Sequence, residues 1–161
     1  MKNLILMRHG KSSWEHNVSD QDRSLLQRGV NDAHLIGAEL SRKKIVIDYA
    51  FSSPANRALH TAMICLRKLG HSLEKFTVAN ELYDFSGDQV LDFLKGTSNT
   101  LNSIIIFGHN HAFTHLVNAL GDNYIDNLPT SGLAQIQFKV DQWSSITKGK
   151  TILTLFPKHL R

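Results

Sequence analysis

Short apolar runs alternate with helix-period patterns along almost the whole chain, and no other feature restricts its folding choices as much. Leu4–Met7, Ile47–Phe51 and Ser103–Phe107 are too short to be helices of their own and suit strands buried on both faces; Phe76–Val78 is a weaker fourth. Between them, Val30, Ala33, Gly37 and Leu40 recur at helical spacing and predict a helix over Gln27–Arg42. Ala58, Ala62, Cys65 and Leu69 mark a second helix. Ser53-Pro54 reads as its N-cap followed by proline at the first helical position. Asp88–Lys95, closed by Gly96, and Ala112–Leu120 complete the helices. Leu133–Val140 and Thr151–Phe156 alternate and predict two final strands, paired through the loop that contains Gly149. Strands that alternate with helices predict an α/β protein, a three-layer α/β/α sandwich around a mostly parallel central sheet.

No repeat or Pro/Gly-rich linker interrupts this pattern, so residues 1–161 are expected to form a single domain, and 42% apolar residues can supply its core. The lone cysteine, Cys65, excludes an internal disulfide framework. The apolar run before Arg8 is too short for a signal-peptide core, and no stretch approaches a membrane span, so the expected location is cytoplasmic, with no membrane partner. The net charge is +4, and no acidic residue follows Asp141 while Lys148, Lys150, Lys158 and Arg161 do. Such a tail either steers the protein toward anions or simply keeps its surface solvated. Two tryptophans without aromatic-basic interleaving give no support to a nucleic-acid partner.

Three strand-to-helix junctions carry the chemistry. The first predicted strand ends in Arg8-His9-Gly10. The second ends in Ser52-Ser53-Pro54, with Arg57 in the next helix's opening turn, and the strongest ends in Gly108-His109-Asn110. In a parallel sheet all three lie at the carboxyl edge, where open α/β sheets hold their ligands. Two histidines and two arginines in one crevice make a coherent phosphoryl-transfer site. An imidazole nitrogen can attack phosphorus, guanidinium forks match phosphate oxygens, and a second imidazole can donate to an oxygen as charge redistributes.

Leu-Met-Arg-His-Gly at 6–10, Ser-Ser-Pro-x-x-Arg-Ala-x-x-Thr-Ala at 52–62 and Gly-His-Asn at 108–110 resemble the histidine phosphatase superfamily, branch 1, with its phosphoglycerate-mutase-like fold. The short length, Leu26-Gln27-x-Gly29 and Pro129-Thr130-Ser131-Gly132 are similar to its SixA-type phosphohistidine phosphatases. The resemblance implies that His9 becomes a transient phosphohistidine, that Arg8, Arg57 and His109 complete the phosphate pocket, and that no metal or organic cofactor is used. It also suggests contacts from Ser12 or Ser13 and from the Ser131 region. Where many members place a glutamate donor, this chain reads Glu81-Leu82-Tyr83-Asp84, which makes Asp84 the candidate general acid and Glu81 its reserve. A weak or missing acid suits a phosphoramidate or aryl phosphate, whose leaving group departs more readily than an alkoxide. The resemblance implies as substrate a phosphorylated protein, such as a histidine-containing phosphotransfer domain, or a small phosphomonoester.

Three other readings compete. Arg57 could merely neutralise a loop carboxylate such as Asp84 or Glu81. His109-x-His111-x-x-x-His115 has spacings that zinc sites use, but no Glu or Asp lies between Asn102 and Gly121, so no metal is expected. A binding module that holds phosphorylated partners on the same fold would need the arginines, yet it would have no use for a nucleophilic histidine.

Overall fold

The computed structural model describes residues 1–161. Its elements are β1 (Lys2–Arg8), α1 (Gln27–Arg42), β2 (Tyr49–Ser52), α2 (Asn56–Leu69), β3 (Phe76–Val78), α3 (Asp88–Lys95), β4 (Ser103–Gly108), α4 (Ala112–Leu120), β5 (Leu133–Phe138) and β6 (Lys150–Leu155), with short 3-10 turns between them. The six strands form one sheet in the order β3-β2-β4-β1-β5-β6. The first four run parallel; β5 is antiparallel to β1, and β6 to β5.

The layers follow from the period-2 geometry of strands whose two faces are both covered. Leu4, Leu6, Ile104 and Ile106 face Val90 and Leu94 of α3 and Phe113 and Leu116 of α4. The residues between them, Ile5, Met7, Ile105 and Phe107, face Ile36 and Leu40 of α1 and Ala62, Cys65 and Leu66 of α2. Truncating a central one such as Ile105 to alanine is expected to cost about 2–5 kcal/mol. The result is the α/β/α sandwich that the sequence pattern implies. No helix is long and apolar enough to cross a membrane.

Two boundaries differ from the sequence reading in ways that shape the site. Helix α2 starts at Asn56 rather than at Pro54, with Ala55 in the cap position. The Ser53 N–H continues the sheet ladder to the Phe107 carbonyl at 3.0 Å, and the Ser53 hydroxyl accepts from the Ala55 N–H at 3.2 Å. Ser53 therefore belongs to the sheet edge. Strand β2 begins at Tyr49, because Asp48 turns its carboxylate to the N–H groups of Asn102 and Ser103.

Register delivers the junctions to one level. Arg8 lies opposite Gly108, and Ser52 opposite Phe107, so His9, Ser53 and His109 leave the sheet side by side. The loop after β1 then lies directly on the first turn of α1. A Cβ at Gly29 would stand 2.3 Å from the Lys11 carbonyl, which is why glycine occupies that position of the Leu26-Gln27-x-Gly29 segment.

Candidate active site

At the carboxyl edge of β1 and β4 a cavity of about 310 Å³ is lined by Arg8, His9, Ser12, Asp20, Arg57 and Asn110, among others. The His9 ring lies beside that of the fully buried His109, with ring centroids 5.3 Å apart. The His9 backbone is pinned from two sides. Its N–H donates to the Gly108 carbonyl at 3.1 Å, and its carbonyl accepts from the Ser131 N–H at 3.0 Å. Its ring Nδ1 lies 2.7 Å from the Gly10 carbonyl; that bond needs a proton on Nδ1 and leaves the Nε2 lone pair exposed to the cavity. Burial pushes this imidazole down to about 3; the Gly10 bond opposes the shift, while His109, Arg57 and Arg8 add to it. The ring is neutral at pH 7.

His109 is fully buried and is also pushed down to about 3, first by burial and then by the Arg57 charge. Its Nδ1 is 3.4 Å from Arg57 Nη2 and its Nε2 is 2.8 Å from the Ser53 hydroxyl. Arg57 can only donate, so Nδ1 is the acceptor and the ring proton sits on Nε2, directed to Ser53. In this state both imidazoles present lone pairs to Arg57.

Arg57 connects the site. The end of its fork holds Asp20, with Nη1 on the backbone carbonyl at 2.6 Å and Nη2 on the carboxylate at 2.9 Å. The other edge, Nε and Nη2, faces His9 Nε2 and His109 Nδ1, each at 3.4 Å. A tetrahedral anion between the imidazoles would meet that edge. Arg8 donates through Nη1 to the Leu128 carbonyl at 2.9 Å, while its Nε is buried without an acceptor, a donor that an oxyanion would satisfy.

Asp20 is the residue that sequence reasoning missed. It sits in a 3-10 turn of the polar loop between β1 and α1, where its carboxylate accepts from Arg57 Nη2 and from the Tyr83 hydroxyl. Burial works to raise it, but the hydrogen bonds from Tyr83 and Arg57 prevail and hold it at about 2. Arg23 anchors the same loop. It reaches the Ser12 hydroxyl, the Ser13 carbonyl and Asp20 Oδ1, and stacks 3.3 Å over Trp14. The only trace in the sequence is the Asp20-x-x-Arg23 charge spacing, which reads as an ordinary solvated pair.

Several expectations are corrected. Asp84 is no proton donor, because its carboxylate accepts from the Ser86 N–H and hydroxyl and from the N–H groups of Gly87, Gln89 and Val90. Burial acts to raise it and these donors lower it, so it stays ionised at the start of α3, away from the cavity. Glu81 is exposed and lines a different groove, with Phe51 and Phe93. Neither carboxylate neutralises Arg57; Asp20 does. The Ser13 hydroxyl turns to the Glu15 N–H at 3.0 Å, and Ser12 lines the cavity in its place. Ser131 is buried behind His9, its backbone N–H bracing the loop that carries His9, with Thr130 at the cavity. His111 and His115 are exposed while His109 points inward, so the three do not converge.

The model of the histidine phosphatase superfamily (branch 1) matches residues 4–87, and the chain belongs to that superfamily. An uncharacterised protein of Mycobacterium tuberculosis is 25% identical over 160 residues, covering 93% of this chain and 98% of the relative. One from Mycobacterium leprae is 30% identical over 143 residues, covering 80% and 84%. Among solved structures, the protein histidine phosphatase SixA complexed with tungstate superposes with a TM-score of 0.83 over 99% of both chains, at 23% identity.

Proposed function

We propose that the chain is a phosphatase that removes phosphoryl groups from phosphohistidine on a protein, or from small phosphomonoesters with good leaving groups, through a covalent phosphohistidine at His9. One observation carries the reading. His9 is a buried, neutral imidazole with Nδ1 fixed on the Gly10 carbonyl and Nε2 facing Arg57 and His109. A pocket that only binds phosphate has no need for a nucleophile prepared in this way.

In the proposed cycle the His9 Nε2 lone pair attacks phosphorus and the bond to the leaving nitrogen or oxygen breaks, its electron pair departing with the leaving group. Arg8 and the inner edge of Arg57 hold the equatorial oxygens. Water then attacks the phosphoenzyme, the Nε2–phosphorus bond breaks, and phosphate leaves with the water oxygen. Asp20 is ionised and Asp84 is occupied, so no carboxylic acid is poised to protonate a departing alkoxide. That favours phosphoramidates and aryl phosphates over alkyl phosphates. The tungstate complex of the SixA phosphatase supports the reading, as a protein of this fold that binds a tetrahedral oxyanion.

The test is rapid quench into alkali, followed by intact-mass analysis, with a phosphohistidine protein or an aryl phosphate as substrate. The expected result is one acid-labile phosphoryl adduct on the native chain and none on His9→Ala, which also loses turnover. Full activity in His9→Ala overturns the mechanism. Oxyanion binding without adduct or turnover would leave the binding module.

A further inference from the structure

Beside the phosphate pocket lies a second cavity, of about 280 Å³, walled by Arg28 of α1, Thr130, and Phe156, Pro157, Lys158 and Arg161 at the end of the chain. The wall between the two cavities is the segment Asn127–Thr130. Thr130 lines both. Asn127, on the second cavity, accepts at 2.8 Å from the amide of Asn110, on the first, and the Leu128 carbonyl between them holds Arg8.

The lining of this cavity contains three basic side chains and no acidic one. Their single counter-ion is Asp32, buried behind the wall on α1. Arg161 takes both of its oxygens, at 3.1 and 2.6 Å, and Arg28 reaches one at 3.6 Å. Lys158 forms no ion pair, and the Arg28 side chain remains 61% exposed. About two positive charges are therefore uncompensated at a concave surface, and Lys11, exposed on the rim of the phosphate pocket, continues the same potential. Pro129, Phe156 and Pro157 give the wall an apolar part, beside the polar Asn127 and Thr130. Basic groups above an apolar wall suit a glutamate, which has an aliphatic stem and an anionic head, better than a second phosphate.

We propose that this cavity is an anion subsite that holds an acidic side chain of the phosphoprotein whose phosphorylated residue is presented to His9. The proposal rests on the phosphatase reading above and deepens it by naming the substrate's flanking chemistry. The partition is one peptide chain thick, about 5 Å by the spacing of neighbouring strands. An acidic residue about two to four positions from the phosphorylated one can therefore reach it.

The probes are two synthetic phosphohistidine peptides, one with glutamates and one with glutamines at those flanking positions, and a control without flanking residues, p-nitrophenyl phosphate. At low salt the native protein is expected to favour the glutamate peptide about five- to tenfold in KM, a preference that fades as salt rises. Arg28→Gln/Lys158→Gln and Lys158→Glu each bring the cavity to about zero net charge and remove the preference, while kcat/KM for p-nitrophenyl phosphate stays within about twofold. Equal treatment of the two peptides by the native protein, or a preference that survives in the variants, overturns the subsite. A preference for a small aryl bisphosphate without one between the peptides overturns it in favour of a second phosphate. Equilibrium binding of both peptides to His9→Ala separates the two levels of inference. Peptide preference without turnover in the native protein removes the phosphatase reading alone, and turnover without preference removes the subsite alone.

Discussion

His109 can donate a hydrogen bond to a transferring phosphoryl group through Nδ1 only if that nitrogen gains a proton, because it accepts from Arg57 and the ring proton is on Nε2. Binding a tetrahedral dianion should supply the driving force. One unit of negative charge about 4 Å away, at an effective dielectric near 20, is worth about 4 kcal/mol, or about three pKa units. Starting from about 3, His109 therefore rises to about 6 for one unit of effective charge, and higher for a full dianion. Sulfate is a suitable perturbation because it has no proton of its own to exchange near neutrality. Long-range proton–nitrogen correlation spectra of the imidazoles read each ring nitrogen directly. Without sulfate, both His9 and His109 should stay neutral down to pH 5. With saturating sulfate, His109 should titrate with a midpoint of about 6 or above, and His109→Gln identifies its signals. A His109 midpoint that is the same in both states, or an imidazolium already present at pH 7 in the empty protein, refutes the argument.

Asp84→Asn puts an amide group where five donors now converge, so it should destabilise the fold by about 2–3 kcal/mol, a fall in Tm of roughly 4–10 °C. Alkyl and aryl phosphates should be affected alike; a loss confined to alkyl phosphates would restore Asp84 as the acid. Asp20→Asn removes the charge beside Arg57, so sulfate should bind several-fold tighter, while turnover falls about tenfold as the guanidinium loses half of its clamp. Unchanged sulfate affinity together with unchanged kcat would take Asp20 out of the site.

The layers, and the meeting of Arg8, His9, Arg57 and His109 at one sheet edge, were legible because both depend on signals that survive in one dimension. Continuous apolar runs such as Ile104–Phe107 specify strands covered on both faces, and a parallel sheet sends every junction to the same edge. Asp20 was not legible because its partners, Arg57 and Tyr83, come from other parts of the chain, and nothing in a polar loop says where it will land. Asp84 misled for the opposite reason. Its position after the third strand fits a donor, yet the chain turns at Gly87, φ +109°, and aims the first N–H groups of α3 at the carboxylate. The helix start after Ser53 failed on a similar competition, since the Ser53 N–H had a sheet partner to satisfy before any helix could begin.

The charge state of the pocket also bears on how a turnover would end. With both imidazoles neutral and Asp20 ionised, Arg8 and Arg57 against Asp20 leave about +1 beside the rings, and Lys11 and Arg23 add two positive charges around the cavity. A phosphate dianion beside His109 raises that ring's proton affinity, so occupancy of the pocket is coupled to protonation. Loss of that proton leaves the dianion beside a neutral imidazole whose lone pair turns back to Arg57, and the carboxylate of Asp20 still holds the other edge of the same guanidinium. Release of inorganic phosphate is therefore favoured by deprotonation. The same arrangement that keeps the His9 ring neutral would keep a phosphate product from being held too tightly.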